Sequence, residues 1–432
     1  MLAFLGLATV LLLLVLVMTK KATPVVALIA VPTFTAFIAG SGLKVGTFIT
    51  NGIKTIAPTG VMFIFAILFF GILSDAGTFN PIINKILKVV GKNPAKITIG
   101  TAILAMIVHL DGSGAVTFLV TIPAMLPLYD ALGMKRTVLA TVTALAAGTM
   151  NIVPWGGPTL RAATALNVEI TKLFNPVLIP MLSGIAFVLF VAYYLGNKEK
   201  KRLGNLETED ASFHEVTVDA EKEKLLRPRL FVFNILLIIA AIGVMISAKL
   251  PPQVVFMFAF CIALIVNYPK VSDQRARVDA HAKEALMMAS VLFAAGAFTG
   301  IMKDSGMITA MSELMVSMIP QSLGKLIPLV TGIVSMPLSL IFDPDSYYFG
   351  VMPVIANAAS QFGVDPVMVG RASILGQMTT GFPVSPLTAA TFLLTGLTGV
   401  DFGEHQKNTI PWAFAGTIIM LIVALVMGVV AI

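Results

Sequence analysis

Charge and cysteine are what this chain has least of, and each scarcity excludes something. Only 12% of its 432 residues are charged while 57% are hydrophobic; soluble domains carry about 25% charged residues, twice that share. Mean hydropathy is +0.94. A soluble domain is excluded, and the long apolar runs point to an all-α polytopic membrane protein. A single cysteine, Cys261, lies within an apolar run, which rules out a disulfide framework inside the chain and predicts a core thiol. Formal charge is +7. On a membrane protein this is a topology signal rather than a nucleic-acid footprint. No nuclear, lipidation or soluble-domain motif occurs. Residues 1–18 are apolar with no preceding basic residue and no cleavage site after them, so a retained first span is expected rather than a signal peptide.

Against this apolar background one stretch stands out, Thr149-Met-Asn-Ile-Val-Pro-Trp-Gly-Gly-Pro-Thr-Leu-Arg161. It interrupts segment 137–168, which is long enough to cross a bilayer. Proline removes a helix hydrogen bond and glycine loosens the backbone, so a break is predicted near Pro154 and Pro158. Backbone groups freed in this way are tolerated only against protein or in a cavity. A broken spanning helix beside an arginine is the usual architecture of a transporter binding site.

Taken in order, the spans fall at 1–18, 24–41 and 59–75, followed by a surface helix over 80–96 with Lys85, Lys88 and Lys92 opposite an apolar side. Residues 97–133 predict a re-entrant hairpin with Asp111-Gly112-Ser113-Gly114 at its tip, since 97–110 is short for a crossing of about 20 residues. The broken helix 137–168 and a fifth crossing at 173–196 complete residues 1–196. A polar linker, 197–229, carries eight basic and eight acidic residues.

Residues 230–432 repeat this plan. Gly71-Ile-Leu-Ser-Asp75-Ala-Gly77 matches Gly300-Ile-Met-Lys-Asp304-Ser-Gly306 at an offset of 229, Pro154 matches Pro383 at 229, and Pro123 and Gly133 match Pro353 and Gly363 at 230. The second half accordingly holds spans at 230–248, 253–267 and 285–303, a surface helix at 307–318 and a hairpin at 325–363 tipped by Asp343-Pro-Asp-Ser346. A second broken helix, 367–398, is interrupted at Pro383-Val-Ser-Pro386, and the last span is 410–431. Five crossings per half give an inverted repeat. With the 197–229 linker in the cytoplasm, 21 of the 29 basic residues fall inside and 6 outside, leaving Arg161 and Arg371 within the membrane. That ratio supports the orientation and puts both termini outside.

Arg161, Arg371, Asp111, Asp343 and Asp345 lie at or near membrane depth. Each costs about 2.5–3.5 kcal/mol at a helix centre on insertion scales, so they must be paired, hydrated or liganded. An internal arginine–aspartate ion pair holding helices together is one reading of each arginine. Recognition of an anionic substrate by the planar guanidinium fork is the other. Half-helix N-termini after Gly156-Gly157-Pro158 and Ser385-Pro386 would add N–H groups. Small polar residues surround the breaks: Thr149, Asn151 and Thr159 in the first, Gln377, Thr379, Thr380, Ser385 and Thr388 in the second. Their oxygens suit a hydroxy-carboxylate or a hard cation. Ser113, Gly114 and Ser346 at the tips complete the candidate substrate site. Asp111, Asp343 and Asp345 are candidate metal ligands. His109, the only one of four histidines predicted inside the membrane, is a candidate proton carrier with Asp111, or a hydrogen-bonded structural residue. No enzyme constellation is present, because Gly112-Ser113-Gly114 lacks the spacing of a nucleophile elbow.

The run from Asn151 to Arg161, the His109-Leu-Asp-Gly112 tip and the Phe342-Asp-Pro-Asp-Ser346 tip resemble those of the bacterial citrate–divalent-metal/proton symporters of the CitMHS family, over nearly the whole chain. The resemblance implies membership of a larger ion-transporter superfamily with paired hairpins, an elevator-like motion and a dimer. It further implies import, across the bacterial plasma (inner) membrane, of citrate complexed with Mg2+ or Ca2+ as co-substrate, with protons and without another cofactor. The paired Ser-Asn-Thr tips of sodium–dicarboxylate relatives are missing, which argues against sodium coupling. Transport of another organic anion (gluconate or a dicarboxylate) or sodium/proton antiport are the alternatives.

Overall fold

Backbone N–H and C=O groups have no water to turn to in hydrocarbon, so a chain this apolar must satisfy them within its own segments. In the computed structural model, which describes residues 1–19, 21–204, 223–247 and 249–431, every regular element is accordingly helical. The first half comprises α1 (Leu2–Met18), α2 (Pro24–Ile38), α3 (Lys44–Asp75), α4 (Asn80–Val90), α5 (Pro94–Val108), α6 (Gly114–Ala131), α7 (Arg136–Met150), α8 (Gly157–Leu166), α9 (Ile170–Phe174) and α10 (Leu178–Leu203). The second comprises α11 (Phe231–Ile246), α12 (Pro252–Asn267), α13 (Val271–Asp304), α14 (Met307–Met318), α15 (Ile327–Leu338), α16 (Met352–Gln361), α17 (Pro366–Ile374), α18 (Ala389–Thr398) and α19 (Phe402–Val426). Among the described residues, seven helical stretches are long and apolar enough to cross a membrane. The chain is a polytopic membrane protein.

Several boundaries move from their sequence positions. The predicted spans 59–75 and 285–303 are the C-terminal halves of α3 and α13, helices of 32 and 34 residues. Their polar N-terminal halves stay helical because the two rods pack along one another. At the crossing, glycine faces glycine: a Cβ on Gly52 would overlap the Gly296 carbonyl oxygen and approach Gly300 Cα to 3.1 Å. Gly52→Val should therefore force α3 and α13 apart, and the expected result is loss of the monodisperse peak in detergent size-exclusion chromatography.

Helix α4 stops at Val90, where Gly91 adopts φ 52. Lys96, expected on the surface helix, belongs to α5. Asn93 accepts the Ala95 N–H and Pro94 occupies the first turn, so α5 starts earlier than expected. With the turn that follows, Pro94–Asp111 reaches 18 residues, long enough to cross by length alone. The expectation that this arm is too short for a crossing is corrected accordingly.

The linker 197–229 lies in part, over 205–222, outside the described residues. Its first residues continue α10 to Leu203. Its last are docked: Arg227 N–H donates to Ala76 O at 2.9 Å, its Nε to Asn267 O at 2.9 Å, and Tyr268 OH to Leu225 O at 3.0 Å. Cys261, expected as a core thiol, is exposed on α12.

Candidate functional site

Each hairpin ends in a turn closed by an aspartate. Asp111 Oδ1 accepts the Ser113 N–H at 2.8 Å. Asp343 Oδ1 accepts the Asp345 and Ser346 N–H groups, both at 3.1 Å, and its Oδ2 takes the Ser346 hydroxyl. A short carboxylate bonding the backbone two residues on is a turn-forming device, which is why both tips carry Asp at this place. The first tip also needs Gly112, whose φ is 78. Beyond the turn, Ser113 Oγ accepts the Val116 N–H and starts α6.

Side-chain donors on the broken helices reach a carbonyl at the end of each hairpin's first arm. Trp155 Nε1 donates to Leu110 O at 2.7 Å, and Ser385 Oγ donates to Ser339 O at 2.5 Å. In sequence the two donors lie 230 positions apart and the two acceptors 229. Trp155 is buried against Phe70 and Phe256, with ring centroids 5.2 and 5.5 Å away.

The breaks themselves differ from expectation in extent. The first runs over 151–156 only, and Pro158 opens α8 instead of breaking it, since a first-turn proline has no hydrogen bond to lose. The second runs from Leu375 to Thr388, well before the predicted Pro383–Pro386. Gly376 and Gly381 lie against Ser335, Met336 and Ser339 of the second hairpin, and Met378 takes the left-handed φ of 55. That conformation is costly for a methionine and is held by its surroundings. Asn151 Nδ2 donates to Met378 O at 2.7 Å, and Met378 N–H donates to Ser339 Oγ at 3.2 Å.

The two breaks thus meet directly. A Cβ on Gly148 would sit 2.6 Å from Thr379 O. One on Gly157 would sit 2.7 Å from Met378 Cε, one on Gly114 2.9 Å from the Phe382 ring, and one on Gly156 would strike Asn151 O.

Many of the predicted polar residues satisfy freed backbone. Thr159 Oγ1 donates to Ile152 O at 2.6 Å and Thr388 Oγ1 to Phe382 O at 2.6 Å. Thr380 bonds Thr417 of α19 at 2.5 Å. His109 is wholly buried, with Nδ1 2.8 Å from Thr117 Oγ1 and Nε2 3.4 Å from Asn151 Oδ1. It thereby joins the first tip to the first break. His109 is not alone: His405, also buried, lies in α19 and donates from Nε2 to Pro383 O at 2.8 Å, beside Gln406 Nε2 on Val384 O at 2.9 Å. The sequence-derived span began at 410 and so left His405 outside.

The charges separate into two kinds. Arg161 is buried and donates from Nε to Asp345 Oδ1 at 2.7 Å and from Nη1 to Gly157 O at 3.3 Å. This is the internal ion pair left open by the sequence, and it ties the first broken helix to the second tip. Arg371 is elsewhere. Its guanidinium donates to Lys172 O at 2.9 Å and Val429 O at 3.3 Å, and joins neither tip. Among the described residues no three His, Cys, Asp or Glu side chains converge as a metal centre. Asp111 is folded back on its own turn, so it does not join Asp343 and Asp345 in one. A separate cavity of about 430 Å³, lined by Lys135, Lys198, Glu199 and Glu404 among others, lies away from this junction.

Ser339, Met378, Tyr348 and His405 were not singled out in the sequence. Tyr348 OH donates to Gln377 O at 2.8 Å, and Ser339 Oγ donates to Gln377 Oε1.

This junction of two tips and two breaks can hold an anion at Arg161 and offers carboxylate oxygen at Asp345 for a cation. The CitMHS citrate transporter family profile matches residues 13–376. The chain belongs to this family. Among curated relatives, a "Citrate transporter" of Bacillus subtilis (strain 168) is 47% identical, and a "Mg(2+)/citrate complex secondary transporter" of the same organism is 43% identical, each alignment covering 100% of both chains. CitMHS members are transporters and not enzymes. Among solved structures, the YdaH transporter of Alcanivorax borkumensis aligns with a TM-score of 0.56 at 14% identity, covering 90% of this chain and 88% of that one. That likeness concerns the fold.

Proposed function

We propose that this protein imports citrate complexed with a divalent cation, Mg2+ or Ca2+, in symport with protons across the bacterial plasma membrane. The observation that carries the reading is Arg161, buried one turn after the first helix break and paired with a second-tip carboxylate. An arginine fork suits a carboxylate of citrate, and citrate can supply the cation with the oxygen ligands that the protein contributes sparsely. The relative named as a Mg(2+)/citrate complex secondary transporter supports the choice of cargo. His109 and Asp111 are the proposed proton carriers. The Thr117 hydroxyl can donate or accept, so the His109 ring keeps partners in either protonation state.

Two further elements belong to the reading. The halves 1–196 and 230–432 form an inverted repeat, and the hairpins move with the broken helices against α1–α3 and α11–α13, elevator-fashion, within a homodimer. Helix contacts support the repeat: α3 packs on α12 as α13 packs on α2, and the two long rods pack on each other. At an offset of 229, Gly71 lies against His281 as Gly300 lies against Gly52.

Proteoliposomes decide the coupling. Labelled citrate uptake should vanish when divalent cations are depleted and should rise when an inward proton gradient is imposed. Uptake indifferent to both would remove the symport reading.

A further inference from the structure

The Arg161–Asp345 pair is an addition to the repeat, and that points to what it does. Asp111 and Asp343 play the same part in their turns, though 232 positions apart: each accepts the backbone N–H two residues on and closes its own tip. Two residues on, the first tip has Ser113 where the second has Asp345. Likewise, at an offset of 229, the position of Arg161 is occupied in the second half by Ala390. The two charges thus fall at places where the duplicated scaffold needs none, and they are bonded to each other.

Their bonding is also incomplete. Asp345 uses Oδ1 on Arg161, and among the described residues no donor reaches its Oδ2. Arg161 uses Nε and Nη1, and among the described residues Nη2 has no acceptor. A carboxylate that fully matched the fork would engage two of its N–H groups in parallel.

We propose that Asp345 stands in for the substrate's carboxylate on Arg161, and that an arriving cation releases the arginine by drawing Asp345 to itself. This rests on the metal–citrate reading above and makes Asp345 the residue that enforces it. Free citrate, to reach Arg161, must leave Asp345 buried without a partner, which is unfavourable. Among the described residues a lone cation finds no third acidic side chain, and Asp345 is already neutralised by Arg161. The complex meets neither obstacle: its carboxylate takes the guanidinium while its cation takes Asp345. Every charge remains paired, and each half of the cargo is rejected without the other.

Binding to the purified protein in detergent tests this, using citrate in cation-depleted buffer, citrate with excess Mg2+, and Mg2+ alone. In Asp345→Asn the preference for Mg2+–citrate over free citrate should fall by roughly tenfold or more, within the usual range of coupling between two ligands, through tighter binding of free citrate. Asp345→Ser, matching the residue type of the first tip, should behave alike. Reciprocally, Arg161→Gln should bind Mg2+ alone more tightly than the wild type does. The reciprocal measurement is independent, so misfolding of either set leaves the other decisive. A preference unchanged in the Asp345 variants, or no gain of Mg2+ binding in Arg161→Gln, overturns the proposal. If the wild type binds neither citrate nor Mg2+–citrate, the transport reading falls and this one with it. If it binds Mg2+–citrate selectively while the variants keep that selectivity, this inference alone is wrong.

Discussion

Arg161→Ala is expected to lower citrate uptake at least about a hundredfold while the protein still reaches the membrane. Hydrogen bonds to charged groups are worth about 1.5–3 kcal/mol each, and about 2.7 kcal/mol already amounts to a factor of one hundred. No second arginine can substitute, because Arg371 is committed to the Lys172 and Val429 carbonyls. The substitution also strands Asp345 inside the protein, which costs about 3–5 kcal/mol of stability. Loss of function and loss of stability must therefore be separated. Combining Arg161→Ala with Asp345→Asn should restore the melting temperature in detergent and leave uptake absent. Arg161→Lys keeps the charge without the planar fork and should recover stability more than transport. Wild-type uptake by membrane-inserted Arg161→Ala would remove the residue from the site.

The two arginines show how far the sequence could be read. Both stand in apolar, interrupted segments, and residue type alone left each open between an internal ion pair and an anion. Geometry separates them, since Arg161 follows directly on the first break while Arg371 precedes the second and reaches neighbouring carbonyls. The first break was legible because proline, glycine and asparagine concentrate in six residues, 151–156. The second was legible only at Pro383. Its start at Leu375 depends on Gly376 and Gly381 lying against the second hairpin and on Met378 being held in a left-handed turn by Asn151 and Ser339. Those are tertiary causes with no local punctuation. The same holds for α3 and α13, whose polar halves remain helical because Gly52, Gly296 and Gly300 let the rods approach. The order of elements was legible throughout, because apolar runs and turn residues fix it without reference to partners.

Trp155 should prove the most costly residue of the junction to truncate. It fills the space between Phe70 of α3 and Phe256 of α12 while its indole N–H satisfies Leu110 O in the first tip. Trp155→Ala removes both the volume, worth about 3–5 kcal/mol for a buried aromatic, and the bond, whose loss leaves a carbonyl wanting a donor at about 1–3 kcal/mol. Together these approach the whole stability of an ordinary domain, about 5–15 kcal/mol, so the expected result is a protein that aggregates on extraction. Trp155→Phe separates the two contributions, since it keeps most of the ring contacts and deletes the donor. It should insert and remain monodisperse, with a lower melting temperature and reduced uptake, because Leu110 lies between His109 and Asp111 and the freed tip no longer holds them still. A Cβ on Gly112 would lie 3.3 Å from the indole edge, so the tip rests against Trp155 on that side. If Trp155→Phe transports like the wild type, the indole N–H is a local bond only, and the fastening of the tip rests on packing.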